Sequence, residues 1–330
     1  MSDDIIGIGL ESSCDETSAS VVKNGNTILS NYVSSQIDLH KEYYGVVPEI
    51  ASRAHLERIN ELIELSLKDA GIRFADLSYV AATIRPGLVG SLLIALQSAK
   101  AISYTCSIPL IGVNHLEAHL YAPHLENNTL YFPYIGLLVS GGNTALFNVE
   151  GIGHYTILGR TVDDAAGEAY DKVSKYLDLG YPGGPIIEKL ANKSLSKPKL
   201  FSKLMTDKDD LRFSYSGLKT AVIHYMQKNP ISVKEDVAYS FQETALELLV
   251  RRVFEAARKF SIKRIIVAGG VAANGRLREI LSENKISGEE IVIPSPLLCT
   301  DNAAMVAGLG YHYFIKGMVD NLSIDVSARS

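Results

Sequence analysis

The residues that most suggest chemistry are two histidines four positions apart in the segment Asn114-His115-Leu116-Glu117-Ala118-His119. On a helix, that spacing puts both imidazoles on one face, where they can share a metal ion. The zinc-protease signature requires Glu directly after the first His, and Leu116 stands there instead. Glu117 falls about 200° around a helix from His115 and points away from a shared ion. The spacing is equally that of two unrelated histidines on a helix at a strand end. A metal needs a third ligand, and the best candidate by type is Asp301 in Cys299-Thr300-Asp301-Asn302. Asp301 opens a helix, where a carboxylate is favoured by the dipole but also serves simply as a cap. Two nitrogens and an oxygen suit iron or zinc better than magnesium.

Glycine turns form the second pattern. Ser140-Gly141-Gly142 follows the apolar run ending in Leu138-Val139, Gly183-Gly184 follows a helical stretch, and Gly269-Gly270 leads to Asn274. Glycine lets a backbone approach a phosphate, and exposed N–H groups bind anions. None of these turns matches the dinucleotide fingerprint or the P-loop. Several at strand ends point to a ligand cleft, although each alone fits an ordinary turn.

Carboxylates form the third pattern: Glu11, Asp15 and Glu16 in one turn, then Asp163, Asp164, Glu168 and Asp171. Such groups bind magnesium, ribose hydroxyls or a proton. For Asp163 and Asp164, capping and solvated turns are the favoured reading, whereas Asp171 is one helical turn past Gly167 and can face the same cleft. The basic residues Arg53, Arg58, Arg85, Lys197, Lys199, Lys203, Lys219, Arg251 and Arg252 are scattered and read as solvated surface.

These groups need a scaffold. Residues 5–10, 17–22 and TILSNYV read as strands, with Asn24-Gly25 as a hairpin turn. Helical periodicity covers about 48–70, ended by Gly71, and about 90–104. SYVAATI and PLIGV are further strands. The second half repeats the order: YIGLLV, a glycine turn, ALFNVE, a helix over about 164–178, a longer helix over about 233–260 with Ser232 and Glu235 spaced as a capping box, the strand RIIVAGG, a helix opening at Asn274 and a last helix over about 302–316. The polar, Lys-rich stretch 191–215 reads as a loop, with mobility expected. Each half thus begins with a strand, polar turn and strand and then alternates helices with strands, as duplication of one α/β lobe would produce.

The 330 residues are 47% hydrophobic and 21% charged, with net charge −5. This composition excludes a disordered chain and allows two cores. Three cysteines without a CxxC pair predict a reducing compartment. The N-terminus lacks signal-peptide features, and no apolar run reaches the ~18–20 residues of a membrane span. The expected location is the cytoplasm.

The segments GLESSCDETS, HKEYYGVVPEIASRAHL, RPGLVGSLL, GVNHLEAHLYAP, LLVSGGNT, DDAAGEAYDKVSKYLDLGYPGGP, FSYSGLK, AGGVAANGRLR and CTDNAAM together resemble the TsaD family, the tRNA N6-adenosine threonylcarbamoyltransferases formerly described as sialoglycoprotein endopeptidases. The likeness spans about residues 5–310. Leu138 in LLVSGG is similar to the bacterial branch; the other branch commonly has a metal-ligating Tyr there. Asn143 replaces a His frequent in bacterial members.

The resemblance implies a duplicated actin-like, Hsp70-like ATPase α/β fold with two lobes and a central cleft. The expected division is 1–115 joined by about 303–330, and 116–302. It implies that His115, His119 and Asp301 hold the metal, Fe(2+) foremost with Zn(2+) the alternative, and that Mg(2+) accompanies any bound ATP. It implies that Leu138, Val139, Ser140, Gly141, Gly142, Asp171, Gly184, Glu188 and Asn274 contact the nucleotide-bearing substrate. Asp15 and Glu16 fall in the family's essential acidic motif and are the catalytic candidates.

The implied reaction moves threonylcarbamoyl from threonylcarbamoyl-adenylate to N6 of the adenosine 3′ to the anticodon, in tRNAs reading codons that begin with A. TsaB and TsaE are the implied partner proteins. No covalent intermediate is expected, because the acidic turn disfavours a Cys14 thiolate. A metallopeptidase, a small-molecule kinase on the same fold and a non-catalytic scaffold are the competing readings.

Overall fold

The computed structural model describes residues 4–127, 131–205, 207 and 209–329. Outside these lie the start of the N-terminal stretch read for a targeting segment, two positions of the Lys-rich loop and the final residue. Along the chain run β1 (Ile6–Glu11), β2 (Glu16–Lys23), β3 (Thr27–Ser35), α1 (Ile37–His40), α2 (Pro48–Ala70), β4 (Tyr79–Arg85), α3 (Val89–Cys106), β5 (Leu110–Asn114) and α4 (His115–Tyr121). Then come β6 (Tyr134–Val139), β7 (Thr144–Gly151), β8 (His154–Arg160), α5 (Ala166–Tyr176), α6 (Gly183–Ala191), α7 (Ser216–Lys228) and α8 (Lys234–Lys259). The last are β9 (Arg264–Ala268), α9 (Gly275–Asn284), β10 (Glu290–Val292), α10 (Pro296–Cys299) and α11 (Ala303–Ile315).

Contacts divide the chain into two units, 1–130 with 300–330, and 131–299. The first boundary lies beyond the 115/116 break expected from sequence. The reason is local: α4 begins where β5 ends, and Glu117 and Tyr121 bond to Tyr313 and His312 on α11. The helix therefore stays with the first unit.

Each unit holds one five-stranded sheet, and the two sheets share one topology. The orders are β3-β2-β1-β4-β5 and β8-β7-β6-β9-β10, read from corresponding edges. In each, the first three strands are antiparallel and the last two parallel to the first. This is the duplication expected from the order of sequence patterns. The hairpin joining β2 to β3 turns at Asn24 and Gly25, both with positive φ (52° and 82°), a region that Asn and Gly adopt more readily than other residues.

In the first unit, strand alternation decides which helix covers which face. Ile8 and Leu10 of β1 join Val80 and Ala82 of β4 in a core with Ile59, Leu62 and Leu67 of α2 and Ala95, Leu96 and Ala99 of α3. Gly7 and Gly9 point to the other face, where α11 lies. A Cβ on Gly9 would stand 2.4 Å from the Ala303 carbonyl oxygen and 2.6 Å from Ala307 N. One on Gly310 would meet the Ala81 methyl at 2.7 Å. Tyr79 donates its hydroxyl to the Ala307 carbonyl at 2.6 Å. Glycine here serves close helix-to-strand approach. The second unit's core gathers Ile135, Leu137, Val139, Ile265 and Val267 from its sheet with Tyr170, Ile187, Phe241, Leu249 and Leu277 from α5, α6, α8 and α9.

Several elements depart from the sequence reading. β8 was not anticipated: it is an edge strand whose residues are mostly exposed, so it lacks clean alternation. α6 begins inside the Gly-Gly-Pro stretch that reads as a turn, and α7 follows the polar loop. The Ser232/Glu235 capping box does not form. The Ser232 N–H is taken by the Asn229 carbonyl, and extended Val233 precedes the helix without a side-chain cap.

The 191–215 stretch carries α6's last residue and otherwise no regular helix or strand among its described residues, but it is tied down. Arg252, fully buried on α8, donates to the Met205, Asp207 and Arg212 carbonyls, and Arg251 reaches those of Leu204 and Met205. Buried charge needs such partners, and burial removes Arg252 from any nucleic-acid surface.

Gly9→Val is expected to destabilise the chain by about 1–3 kcal/mol through overpacking of α11 on β1. Urea unfolding measures it, with Gly217→Ala, at an open position, as the near-neutral control.

Candidate metal centre and ligand-binding turns

The histidine pair is placed by local structure. β5 ends at Asn114, whose side chain caps α4 by accepting the Leu116 N–H at 2.9 Å. His115 and His119 then fall one turn apart, their rings 4.6 Å between centroids and nearly perpendicular. The third member arrives from far along the chain. Asn302, not Asp301, caps α11, accepting from Met305 N at 3.1 Å, and the Ala303 N–H donates to the Ser18 hydroxyl on β2 at 2.9 Å. The capping alternative for Asp301 is therefore taken by its neighbour, and Asp301 is left to face the histidines.

Its Oδ1 lies 2.9 Å from His119 Nε2 and 3.6 Å from His115 Nε2. One donor atom from each of His115, His119 and Asp301 falls within 4.8 Å of the others. Glu117 is turned away, as its helical position requires, and accepts the Tyr313 hydroxyl at 2.5 Å.

Glu11, fully buried at the end of β1, orients the centre. Its Oε2 stands 3.2 Å from His115 Nδ1, which also faces the Ser13 hydroxyl at 3.2 Å. Its two oxygens further accept from Ser13 N and the Thr83 hydroxyl. A carboxylate on Nδ1 fixes the ring so that Nε2 points inward, the usual support of a metal-bound imidazole. Sequence reasoning noted Glu11 only as one acid of a cluster; a charged residue closing an apolar strand was the available signal.

Electrostatics test the fit to a cation. Burial disfavours a charged His115, but Asp301 and Glu11 outweigh it and raise its pKa to about 9. Burial likewise works against ionised Asp301, yet His115 and His119 hold it down at about 2. The neighbouring turn is acidic. Burial first, then Asp301 and Asp15, push the Glu16 carboxyl well above the usual range, and burial with Asp15 and Asp301 does the same to the Cys14 thiol. Buried His119 Nδ1 has no hydrogen-bond partner among the described residues. Two imidazoles and a carboxylate converging among further acids fit a divalent cation with nitrogen and oxygen preferences. Asp15 and Glu16 thus lie in the same unit as the triad, and Glu16 is within electrostatic reach of Asp301. Cys14 is free and disfavoured as a thiolate.

The second unit collects the glycine turns. Leu138 and Val139 are fully buried in β6, so their side chains belong to the sheet and what emerges is Ser140–Gly142. Ser140 closes this turn on Asn143 and accepts the Gly167 N–H at the start of α5. Gly167 allows that contact, since a Cβ would meet the Ser140 carbonyl at 2.7 Å. One turn on, Asp171 accepts the Gly183 N–H at 2.6 Å, opening α6. Glu188 on α6 accepts the Gly275 N–H at 2.7 Å, and Asn274 caps α9 through the Leu277 N–H while bonding Gln242. The body of α5 is therefore bonded to the start of α6, and the body of α6 to the start of α9.

Gly141, Gly142, Gly184 and Gly270 have nothing within 4 Å of where a side chain would begin, which leaves their backbone open. A cavity of about 280 Å³ lies between α8 and α9, lined by Tyr239, Glu243, Thr244, Arg276 and Ile280 together with Lys197 and Lys199. Asp163 takes a capping role, accepting from Tyr215 N and Ser216 N at the start of α7, and Asp164 pairs with Lys172 and Lys219. Of the scattered cations, Arg58 and Lys203 also pair with acids.

The comparisons with known proteins agree with this architecture. The family model described as TsaD, tRNA N6-adenosine threonylcarbamoyltransferase, matches residues 27–308. The tRNA N6-adenosine threonylcarbamoyltransferase of Clostridioides difficile (strain 630) is 47% identical over 327 residues, covering 98% of this chain and 97% of its own. That of Dictyoglomus turgidum is 48% identical over 329 residues, covering 98% of each.

Among solved structures, HypF of T. kodakarensis superposes with a TM-score of 0.66 at 14% identity, over 96% of this chain and 48% of that one. Component A of Acidaminococcus fermentans (R)-2-hydroxyglutaryl-CoA dehydratase does so at 0.54 and 16%, over 94% and 98%. At such identity the structural likeness speaks to the fold alone, an actin-like α/β fold of two duplicated halves. With nearly full-length relatives close to half identical, the chain belongs to the TsaD family of tRNA N6-adenosine threonylcarbamoyltransferases.

Proposed function

We propose that the chain transfers the threonylcarbamoyl group of threonylcarbamoyl-adenylate to N6 of the adenosine 3′ to the anticodon, in tRNAs reading codons that begin with A, with release of AMP. The observation that carries the mechanism is the convergence of His115, His119 and Asp301 from positions 182 residues apart. These three residues would hold one Fe(2+), with Zn(2+) as the alternative. When bound, such an ion supplies Lewis-acid polarisation of an acyl oxygen.

The substrate is a mixed anhydride. N6 attacks the carbamoyl carbon, the bond from that carbon to the phosphate oxygen breaks, and AMP leaves with the electron pair. The amine must also lose a proton; the Asp15 carboxylate is the chain's candidate to accept it, while the neighbouring Glu16 carboxyl is biased toward its protonated form. An exocyclic adenine amine is a poor nucleophile, so positioning supplies much of the rate. The open backbone at Ser140–Gly142 and Gly184 suits the adenylate phosphate. Asp171, Glu188 and Asn274 hold the helix starts around it, and the cavity beside Arg276 suits its base. Attack by Cys14 has no support, given its disfavoured thiolate.

The peptidase and kinase readings gain nothing: Glu117 is turned onto Tyr313, and the triad's donors are not those of a magnesium site. TsaB and TsaE are the proposed partners, and the cytoplasm the proposed location. No helix of the described residues is long and apolar enough to cross a membrane.

The decisive experiment reconstitutes the chain with threonylcarbamoyl-adenylate and tRNA, with and without TsaB and TsaE, and follows the modified nucleoside by mass spectrometry. Unmodified tRNA under every condition would refute the proposal. His115→Ala and Asp301→Ala are expected to abolish turnover while keeping the fold, and to lose the metal seen by elemental analysis in the unmodified chain. Glu11→Gln is expected to weaken metal affinity by about 10–100-fold, measured by competition with a chelator. Asp171→Ala is expected to weaken nucleotide binding by calorimetry, because the Gly183 N–H loses its acceptor.

A further inference from the structure

The turn carrying Asp15 and Glu16 is held by a buried chain of polar side chains that the mechanism above leaves unused. His55, fully buried on α2, reaches the Cys14 carbonyl oxygen with Nε2 at 3.1 Å. Its Nδ1 lies 2.7 Å from the Thr17 hydroxyl and 3.2 Å from the Gln36 side-chain nitrogen. The backbone N–H of Gln36 donates to the next carbonyl of the turn, that of Asp15, at 2.9 Å. Gln36 Oε1 in turn lies 3.3 Å from His40 Nε2, and His40 Nδ1 is 3.3 Å from Val47 N.

One assignment of protons runs through the chain, with the Thr17 hydroxyl and the Gln36 amide sharing the His55 Nδ1 lone pair. The Val47 N–H can only donate, so His40 Nδ1 accepts and its Nε2 carries the proton to Gln36 Oε1. The Gln36 amide then donates to His55 Nδ1, which puts the His55 proton on Nε2, facing the Cys14 carbonyl. Burial holds both imidazoles below the usual histidine range, which keeps this neutral arrangement in place.

We propose that His55 is a positioning residue for acyl transfer: through Cys14 it clamps the acidic turn so that Asp15 and Glu16 are presented to the metal centre. The clamp acts on two consecutive carbonyls, one held by His55 and the other by the Gln36 backbone. The Glu16 carboxyl and the Cys14 thiol both feel Asp301, so the geometry of this turn sets how the acids meet the triad. The proposal rests on the reading of Asp15 and Glu16 as reaction residues.

The test compares the full-length chain with His55→Ala and His55→Gln in the reconstituted reaction with TsaB and TsaE, and measures metal content and alkylation of Cys14 by a maleimide against Cys106. The Gln amide reaches the place of Nε2 and can donate to Cys14. For His55→Ala, kcat is expected to fall about 100-fold while KM for threonylcarbamoyl-adenylate stays within about twofold. Metal content should hold, and Cys14 should alkylate faster while Cys106 does not.

His55→Gln should return kcat to within about tenfold of the unmodified chain and restore slow alkylation. A folded Ala variant with unchanged kcat, or with its loss confined to KM, overturns the proposal, as does a folded Gln variant no better than Ala. If the Ala variant does not fold, the Gln variant decides alone by the same limits. If the unmodified chain yields no modified tRNA, the acyl-transfer reading fails. The alkylation comparison then still reports on the clamp: equal Cys14 rates in all three chains overturn it.

Discussion

The convergence of His115, His119 and Asp301 depends on how closely α11 approaches β1. A glycine at position 9 lets the helix start press against the strand at a distance that no side chain would permit. Ser18 on the next strand takes the first free N–H of that helix, and Asn302 caps it. With those donors satisfied, the residue just before the cap projects its carboxylate at the α4 histidines. The histidines in turn are aimed by Asn114 and Glu11, both at strand ends. Rigid strand ends thus set the positions of three donor atoms, as precise ligand geometry requires.

Charge gives the same region its character. Glu11 and Asp301 contact the imidazoles, and Glu16 lies within electrostatic reach of Asp301. Against its burial, Asp301 and Glu11 raise the His115 pKa, and burial with Asp301 and Asp15 raises that of Glu16. Both responses mark a place where positive charge is wanted. Two imidazoles and a carboxylate there would suit a divalent ion.

The duplicated fold uses one architectural position in two chemical ways. The turn between the first two strands is Ser12–Asp15 in one unit and Ser140–Asn143 in the other, each joining an antiparallel pair at the same place in an identically ordered sheet. In the first unit the turn is acidic, backed by His55 and Gln36, and suits cations and protons. In the second it is glycine-rich and open, and its N–H groups suit anions. One repeated turn has thus diverged in chemistry, and the α6 start is held by the distant Asp171 while α9 is held both by its own cap, Asn274, and by the distant Glu188.

Much of this was legible in the sequence because it is local. Strand alternation in IGIGL, the helix ended by Gly71, the Asn-Gly hairpin and the four-residue spacing of His115 and His119 all follow from periodicities of a few residues. The edge strand β8 and the helices flanking Gly-Gly-Pro and the polar loop were missed, because exposure erases alternation and turn residues mask a helix start. The family resemblance supplied Asp301 as the expected third ligand, which residue type alone had only nominated. By itself the sequence determined the elements, their repeated order and the shared face of the two histidines. Only the tertiary structure decided that Asn302 rather than Asp301 caps the last helix, that Glu11 holds His115 and that Arg252 is spent inside the molecule. Those outcomes depend on contacts between residues tens to hundreds of positions apart, which no local pattern encodes.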